Sequence, residues 1–144
     1  MEQVKIILAE DHALLRQGIK KIIQGVPGLQ IILEAEDGLE LMQQLETTTT
    51  DIVILDISMP RLRGLEAAEL IKRLYPKVKV LILSMNLNKD LFYKAMKIGV
   101  NGYVLKEDLT RDMHAAINTA LEGKTFVSPL LFRQVPDESP PVVS

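Results

Sequence analysis

The segment VKIILAEDHALL, Val4 to Leu15, joins an apolar run to two adjacent carboxylates, Glu10 and Asp11. A short run rich in Val and Ile and apolar on both faces is typical of a buried strand in a parallel sheet. From Leu15 to Ile23 apolar residues then recur at intervals of three and four, the spacing of a helix with one buried face. The segment therefore predicts a strand followed by a helix, with two negative charges at the junction.

The same strand and helix unit recurs along the rest of the chain. Asp37 to Glu40 has the pattern of a helix capping box, and Gly99 and Gly123 are typical helix stops. The predicted strands are Val4 to Ala9, Leu29 to Ala35, Ile52 to Leu55, Val78 to Leu83 and Gly102 to Leu105. The helices after the first are expected from Asp37 to the Thr47 to Thr50 run, and over Leu65 to Tyr75, Lys89 to Ile98 and Thr110 to Glu122. Because parallel strands need crossover helices, five such units predict a doubly wound α/β fold around a parallel five-stranded sheet.

Composition limits the classes of function. The 144 residues are 47% hydrophobic and 25% charged, as in one globular domain, and the net charge of −2 offers no basic surface for nucleic acid. The absence of cysteine excludes disulfides and thiolate sites and fits the cytoplasm, and no apolar run approaches the ~18 residues of a membrane span. We expect one globular domain over residues 1–124. Residues 125–144, which contain VPDESPPVVS, have the composition of a linker or tail.

Charged and polar side chains follow four of the five predicted strands. Ligands of open parallel sheets bind beyond the carboxyl ends of the strands, where these side chains would meet: Glu10, Asp11, Asp56, Ser84 and Lys106. Each alone could be an ordinary solvated loop residue, but together they put three carboxylates in one place. Such a cluster either holds a proton at a raised pKa or binds a cation, and oxygen ligands suit Mg²⁺. Asp56, on the central strand, is the candidate nucleophile toward a phosphoryl group, with Lys106 and Ser84 stabilising the transferred oxygens.

Several short segments together resemble the receiver domain of two-component response regulators. They are AED at 9–11, LDISMPRLRG at 55–64, LILS ending at Ser84 and GYVLK ending at Lys106, and the resemblance extends from Val4 to about Gly123. The segment GVNGYVLKEDLT is most similar to NarL/FixJ-type (LuxR-like) regulators, in which a helix-turn-helix DNA-binding domain usually follows the receiver. The resemblance implies a flavodoxin-like strand order, 2-1-3-4-5.

The resemblance also implies a role for each site residue. Asp56 would be the phosphoacceptor and would receive its phosphoryl group from a phosphohistidine of a sensor histidine kinase. Mg²⁺, for which Mn²⁺ can substitute, would be held by Asp11, by Asp56, by the backbone carbonyl of Ser58 and by Glu10 directly or through water. Lys106 would contact the phosphoryl oxygens.

A conformational switch is implied by two further residues. Ser84 would donate its hydroxyl to the phosphoryl group, and Tyr103, which otherwise reads as ordinary strand packing, would turn inward into the space that Ser84 leaves. The surface of the fourth helix, fifth strand and fifth helix would then change, and a homodimer formed on phosphorylation is one expected outcome. Met59 and Met85 are expected at the rim of the site, where Met85 would slow hydrolysis. Glu107 replaces the proline that commonly follows the lysine in the family, so a cis peptide is not expected there.

Three other functions fit parts of the pattern. A stand-alone receiver could act through protein contacts, without a DNA-binding domain. A haloacid dehalogenase type of hydrolase also places a nucleophilic Asp after a central strand, but Ser58 stands where its second acid would be. A flavin-binding module would need Ser, Thr or Gly in the first loop, which is acidic here. We therefore expect a signalling domain that assists only its own phosphorylation and dephosphorylation, contacts DNA only through a domain outside this chain, and does not bind membranes.

Overall fold

Helices connect the strands of one sheet in regular alternation. The structure is a computed structural model that describes residues 3–59, 61, 63–85, 88–129 and 131. The elements are β1 Val4–Ala9, α1 Ala13–Gln24, β2 Leu29–Ala35, α2 Gly38–Thr47, β3 Ile52–Asp56, α3 Gly64–Leu74, β4 Lys79–Ser84, α4 Lys89–Ile98, β5 Gly102–Leu105, α5 Leu109–Leu121 and β6 Phe126–Val127. A one-turn 3-10 helix, Lys106–Asp108, separates β5 from α5. Among the helices of the described residues, none has the length and apolar character to cross a bilayer.

The strand order of the sheet is β2-β1-β3-β4-β5-β6, and all neighbouring pairs are parallel. The predicted order 2-1-3-4-5 is confirmed, as is the doubly wound fold. Strand order reverses between β1 and β3, because the chain moves from β1 to one side and then returns to the other. A ligand site at the carboxyl ends of β1 and β3 is therefore expected from topology.

A sixth strand extends the predicted five-stranded sheet. Phe126 and Val127 pair with Gly102 and Tyr103, and Val127 and Leu131 are almost fully buried. The sheet therefore has six strands and not the predicted five. The sixth strand was missed because its two residues are too few to show the alternation of side chains by which a strand is recognised in a sequence. The division of the chain at residue 124 and a following DNA-binding domain remain predictions. The proline-rich segment VPDESPPVVS, residues 135–144, lies outside the described residues, which end at 131.

Two apolar clusters cover the two faces of the sheet. Alternate residues of each central strand enter different clusters, as Ile6 and Ile7 do in β1, so both faces are buried. Residues of α2, α3 and α4 complete the first cluster, and residues of α1 and α5 complete the second. Because the faces are covered, only the ends of the strands are open to a ligand.

Helix ends follow the predicted signals. Asp37 caps α2 by accepting the Glu40 N–H at 2.8 Å, and the Glu40 side chain accepts the N–H of Glu36 at 2.7 Å. Gly99 ends α4 with a φ of 91°, a left-handed conformation that favours glycine. The predicted N-cap of α2 and the glycine stop of α4 are confirmed. The predicted capping box is incomplete, because Glu40 accepts the N–H of Glu36 and not that of the N-cap residue Asp37.

Candidate functional site

The carboxyl ends of three strands bring Glu10, Asp56 and Lys106 into contact. Glu10 follows β1, Asp56 ends β3, and Lys106 begins the 3-10 turn after β5. The Lys106 Nζ lies 3.3 Å from Glu10 Oε1 and 3.1 Å from Asp56 Oδ2. Glu10 and Asp56 are fully buried and Lys106 is 9% exposed, so the ammonium group lies between two carboxylates in a site nearly closed to solvent.

Hydrogen bonds keep Asp56 ionised. Its Oδ1 accepts the backbone N–H of Ser58 and the Ser58 hydroxyl, each at 3.0 Å. Burial would raise the pKa of Asp56, but the bonds from Ser58 and the charge of Lys106 outweigh it and lower the pKa. The carboxylate is therefore available as a nucleophile at neutral pH.

Glu10 has the opposite tendency although it shares the same ammonium group. Burial and then the negative charge of Asp56 raise the pKa of Glu10, and the contacts with His12 and Lys106 oppose this only in part. Its Oε2 accepts the His12 N–H at 3.1 Å and lies 3.1 Å from His12 Nδ1. The two carboxylates thus differ in their affinity for a proton, as expected of buried acids that lie close together.

The acidic cluster has the chemistry of a site for a hard divalent cation. One possible ligand atom from each of Glu10, Asp11, His12 and Asp56 lies within 4.8 Å of the others. Among the described residues, Glu10 Oε1, Asp11 Oδ1 and Asp56 Oδ2 are buried and accept no hydrogen bond. Within the described part of the chain, Glu10 Oε1 and Asp56 Oδ2 have only the Lys106 ammonium as an ion-pair partner, and Asp11 Oδ1 lies 3.4 Å from the His12 ring. Three carboxylates that share one ammonium group keep a net negative charge, which favours binding of a cation, and carboxylate oxygens suit Mg²⁺. His12, which the sequence analysis did not single out, is noticeable in the sequence only by its place beside the two acids.

Ser84 and Tyr103 lie on neighbouring strands beside this cluster. Ser84 ends β4 and is 1% exposed, and Tyr103 is fully buried in β5. The Tyr103 ring packs edge-on against Phe92 of α4, with 5.3 Å between ring centroids. Burial raises the pKa of Tyr103, and an interaction with the Ser84 side chain opposes this. Tyr103 is therefore buried in this structure, and its inward turn on phosphorylation remains a prediction.

The two methionines expected at the rim have different environments. Met59 is 1% exposed and belongs to the apolar cluster against α2, α3 and α4. Met85 follows Ser84 directly and is 66% exposed. Met59 is therefore part of the core and Met85 is open to solvent, and a place for Met85 at the rim of the site remains a prediction. The described peptide bonds are all trans, and the 3-10 turn beginning at Lys106 takes the place of a cis-proline loop.

Two features of the loop after Asp56 were missed by sequence reasoning. Arg61 has a φ of 57°, and its Nε donates to Asp37 Oδ2 at 2.8 Å, so the loop is tied to the start of α2. A Cβ on Gly64 would lie 2.5 Å from the Asp56 carbonyl oxygen, which is too close for any side chain. Both contacts depend on how the loop folds back in three dimensions, and no local sequence pattern predicts them.

Comparisons with known proteins give the family. The family model "Response regulator receiver domain" matches residues 6–118. The chain is 31% identical over 127 residues to the transcriptional regulatory protein DegU of Brevibacillus brevis, covering 88% of this chain and 54% of that protein. It is 34% identical over 125 residues to the oxygen regulatory protein NreC of Staphylococcus epidermidis, covering 86% of this chain and 57% of that protein. The chain thus spans little more than half the length of these curated relatives.

Solved structures agree with this assignment over nearly the whole chain. A LuxR-family two-component response regulator from Aurantimonas sp. SI85-9A1 superposes with a TM-score of 0.89 at 30% identity, covering 95% of this chain and 98% of that chain. The isolated REC domain of RcsB from Salmonella enterica serovar Typhimurium, studied with the phosphomimetic BeF3-, gives 0.86 at 27% identity, covering 92% and 98%. The chain belongs to the response regulator receiver domain family, in its NarL/FixJ (LuxR-like) branch.

Proposed function

We propose that this receiver domain accepts a phosphoryl group on Asp56 from a phosphohistidine of a sensor histidine kinase. The observation that carries the proposal is the buried Lys106 ammonium, which lies 3.1 Å from Asp56 and 3.3 Å from Glu10 in an acidic cluster that could hold a metal ion. In the transfer, the P–N bond of phosphohistidine breaks and leaves its electron pair on the imidazole. A P–O bond to the Asp56 carboxylate forms.

The chain's own residues prepare the nucleophile and its charge balance. The lowered pKa of Asp56 keeps it deprotonated, and Lys106 offsets one negative charge. Asp11, Asp56, the Ser58 carbonyl and Glu10, directly or through water, would hold Mg²⁺ or Mn²⁺. The cation, when bound, neutralises charge on the incoming phosphoryl oxygens. Without it, repulsion between carboxylates and donor phosphate is about 4 kcal/mol per pair of unit charges at 4 Å and an effective dielectric of 20.

The output is proposed to be a change of protein surface. The Ser84 hydroxyl would bind the phosphoryl group, and the burial of Tyr103 against Phe92 would connect that event to α4. A homodimer could form on the altered surface, and transcription would be controlled through a helix-turn-helix domain outside this chain. Among the relatives, DegU is named a transcriptional regulatory protein, and one solved structure contains two RcsB dimers bound to two parallel DNAs. We place the reaction in the cytoplasm, and we propose no turnover of external substrates.

Phosphoryl uptake tests the proposal directly. The protein is incubated with acetyl phosphate, or with a phosphorylated histidine kinase, in Mg²⁺, and intact-protein mass spectrometry is expected to show one added phosphoryl group. Asp56→Asn is expected to show none, and excess EDTA is expected to prevent uptake by the wild-type protein. Asp51→Asn, at the opposite end of β3, is the matched control and should react like wild type. Equal uptake by Asp56→Asn would contradict the assignment of the phosphoacceptor.

A further inference from the structure

A buried serine beyond β6 closes the end of β5 next to Lys106. Ser128 is fully buried, and its N–H donates to the Tyr103 carbonyl at 3.0 Å. The last paired residues of β5 and β6 are Tyr103 and Val127, so the strand pairing ends before Leu105. The Leu105 N–H instead donates to the Ser128 Oγ at 3.1 Å. A side chain thus supplies the acceptor for the residue immediately before Lys106.

An aspartate of α5 holds this hydroxyl and connects it to the other side of Lys106. The Ser128 Oγ donates to Asp112 Oδ2 at 3.3 Å, and Asp112 is 5% exposed. Arg111 places its Nε 3.1 Å from Asp112 Oδ1 and its Nη2 3.2 Å from Asp108 Oδ2. Asp108 ends the 3-10 turn that begins at Lys106. One polar network therefore contacts the backbone before the lysine, at Leu105, and the Asp108 side chain after it.

We propose that Ser128 is a positioning residue for Lys106, and that the network of Ser128, Asp112 and Arg111 sets the distance between Lys106 and Asp56. The inference rests on the proposed role of Lys106 in phosphoryl transfer. A lysine side chain has many rotamers, so the position of its Nζ depends on how firmly its backbone is held. Phosphoryl transfer depends mainly on position and charge, so a small displacement of this ammonium slows it.

The metal ligands should not be affected by this network. Asp11 follows β1 and Asp56 ends β3, whereas the hydrogen bonds of the Ser128 side chain join β5 to α5. Loss of the Ser128 hydroxyl is therefore expected to lower the rate of phosphorylation without weakening Mg²⁺ binding. A purely structural role would lower thermal stability but leave the rate constant of the folded protein unchanged.

Thr50 provides a matched control for the loss of a buried hydroxyl. It is 5% exposed, and its Oγ1 lies 2.9 Å from the Lys5 carbonyl and 3.1 Å from the Ile52 carbonyl. These contacts are at the opposite end of the sheet from Asp56. Thr50→Ala and Ser128→Ala thus each remove one buried, hydrogen-bonded hydroxyl, but only one of them does so beside Lys106.

The experiment compares both variants with wild type at a temperature where all three are folded. Phosphorylation by acetyl phosphate at saturating Mg²⁺ is expected to be about tenfold slower in Ser128→Ala. It should be unchanged in Thr50→Ala, and Mg²⁺ affinity from calorimetric titration should be unchanged in both. A Ser128→Ala rate equal to that of Thr50→Ala would overturn the proposal. If Ser128→Ala does not fold, Arg111→Ala is measured in the same assay, because the Arg111 side chain is 63% exposed. Slower phosphorylation of this variant would support the proposal, and an unchanged rate would overturn it.

A second measurement separates this inference from the proposed function. If wild type itself takes up no phosphoryl group, the proposed function is wrong, and the side-chain NMR resonances of Lys106 decide on Ser128. They are then expected to shift or broaden in Ser128→Ala and not in Thr50→Ala. Identical Lys106 resonances in all three proteins would overturn the positioning role.

Discussion

At the residue scale, the chemistry of the site depends on the different environments of Glu10 and Asp56. Both are fully buried and both contact Lys106. Asp56 also receives two hydrogen bonds from Ser58, and its pKa is lowered, whereas burial and the charge of Asp56 raise the pKa of Glu10. The ionised form of Glu10 is therefore unfavourable in the folded protein without a cation.

Glu10→Gln is expected to stabilise the metal-free protein at neutral pH. A carboxyl group whose pKa is higher in the folded than in the unfolded protein binds more protons in the folded state. It therefore lowers the free energy of unfolding as the pH rises above its pKa in the unfolded chain. The free energy of unfolding should rise by about 1 kcal/mol, because a buried charge is replaced by a neutral group while Lys106 keeps its ion pair with Asp56. Urea unfolding in EDTA measures this, and the difference should shrink as pH falls toward 4.5, the ordinary pKa of glutamate. A Gln variant that is less stable at neutral pH would contradict the prediction.

Met85→Ala is expected to shorten the lifetime of the phosphorylated protein. Met85 is 66% exposed beside Ser84, where its flexible side chain can cover the approach of water to the phosphoryl group. Autodephosphorylation should be faster by up to about tenfold, equivalent to ~1.4 kcal/mol of barrier. Decay of the phosphoryl group at equal Mg²⁺ is timed for both proteins. The control is Leu74→Ala, another exposed apolar residue, at the end of α3, and equal decay of Met85→Ala and wild type would leave Met85 as packing only.

At the element scale, the loop between β3 and α3 is constrained at two points. The Arg61 guanidinium bonds to Asp37, which also caps α2, so the loop and the start of α2 are held together. The first residue of α3, Gly64, lies against the backbone of Asp56 and Ile57. The start of α3 therefore limits where the phosphoacceptor backbone can move.

Gly64→Ala is expected to impair both stability and chemistry. Its Cβ would lie 2.5 Å from the Asp56 carbonyl oxygen and from Ile57 Cα, both backbone atoms that cannot move independently of the site. The loss of unfolding free energy should be about 1–3 kcal/mol, with slower phosphorylation of the folded fraction. Gly18→Ala in α1, with nothing within 4 Å of its new Cβ, should instead gain about 0.5–1 kcal/mol. Denaturant unfolding and phosphoryl uptake of both variants test this, and a Gly64→Ala protein as active and stable as wild type would refute the close approach.

At the scale of the whole molecule, the sheet gathers charges from distant segments into one buried cluster. Glu10, Asp56 and Lys106 come from β1, β3 and the end of β5, and they meet because parallel strands end on the same side. The acids repel each other in the folded protein and are far apart when it unfolds. Cation binding and folding are therefore expected to be coupled.

Mg²⁺ is expected to raise the stability of the wild-type protein. At a free concentration about a hundred times Kd, linkage adds about 2.7 kcal/mol to the free energy of unfolding. For a chain of this length that corresponds to a rise in Tm of about 5–10 °C. Asp11→Ala should abolish most of the rise and Glu10→Ala less of it, whereas Asp51→Asn should keep it. Thermal unfolding with and without Mg²⁺ measures the effect, and an unchanged rise in Asp11→Ala would contradict its place among the ligands.

The sequence by itself determined the fold class and the members of the acidic cluster. The spacing of apolar residues along a strand or a helix is a local feature of the sequence, so the strands and helices could be predicted. Because parallel strands end on the same side of a sheet, Glu10, Asp11, Asp56 and Lys106 could then be expected at one edge. Only the tertiary structure decided which atoms meet. The pKa shifts of Glu10 and Asp56 have opposite signs because of contacts between segments far apart in the chain. The Arg61 bond to Asp37 and the Leu105 bond to Ser128 also join such segments. Such contacts depend on distances of a few ångström set by the packing of the whole sheet, which local periodicity does not encode.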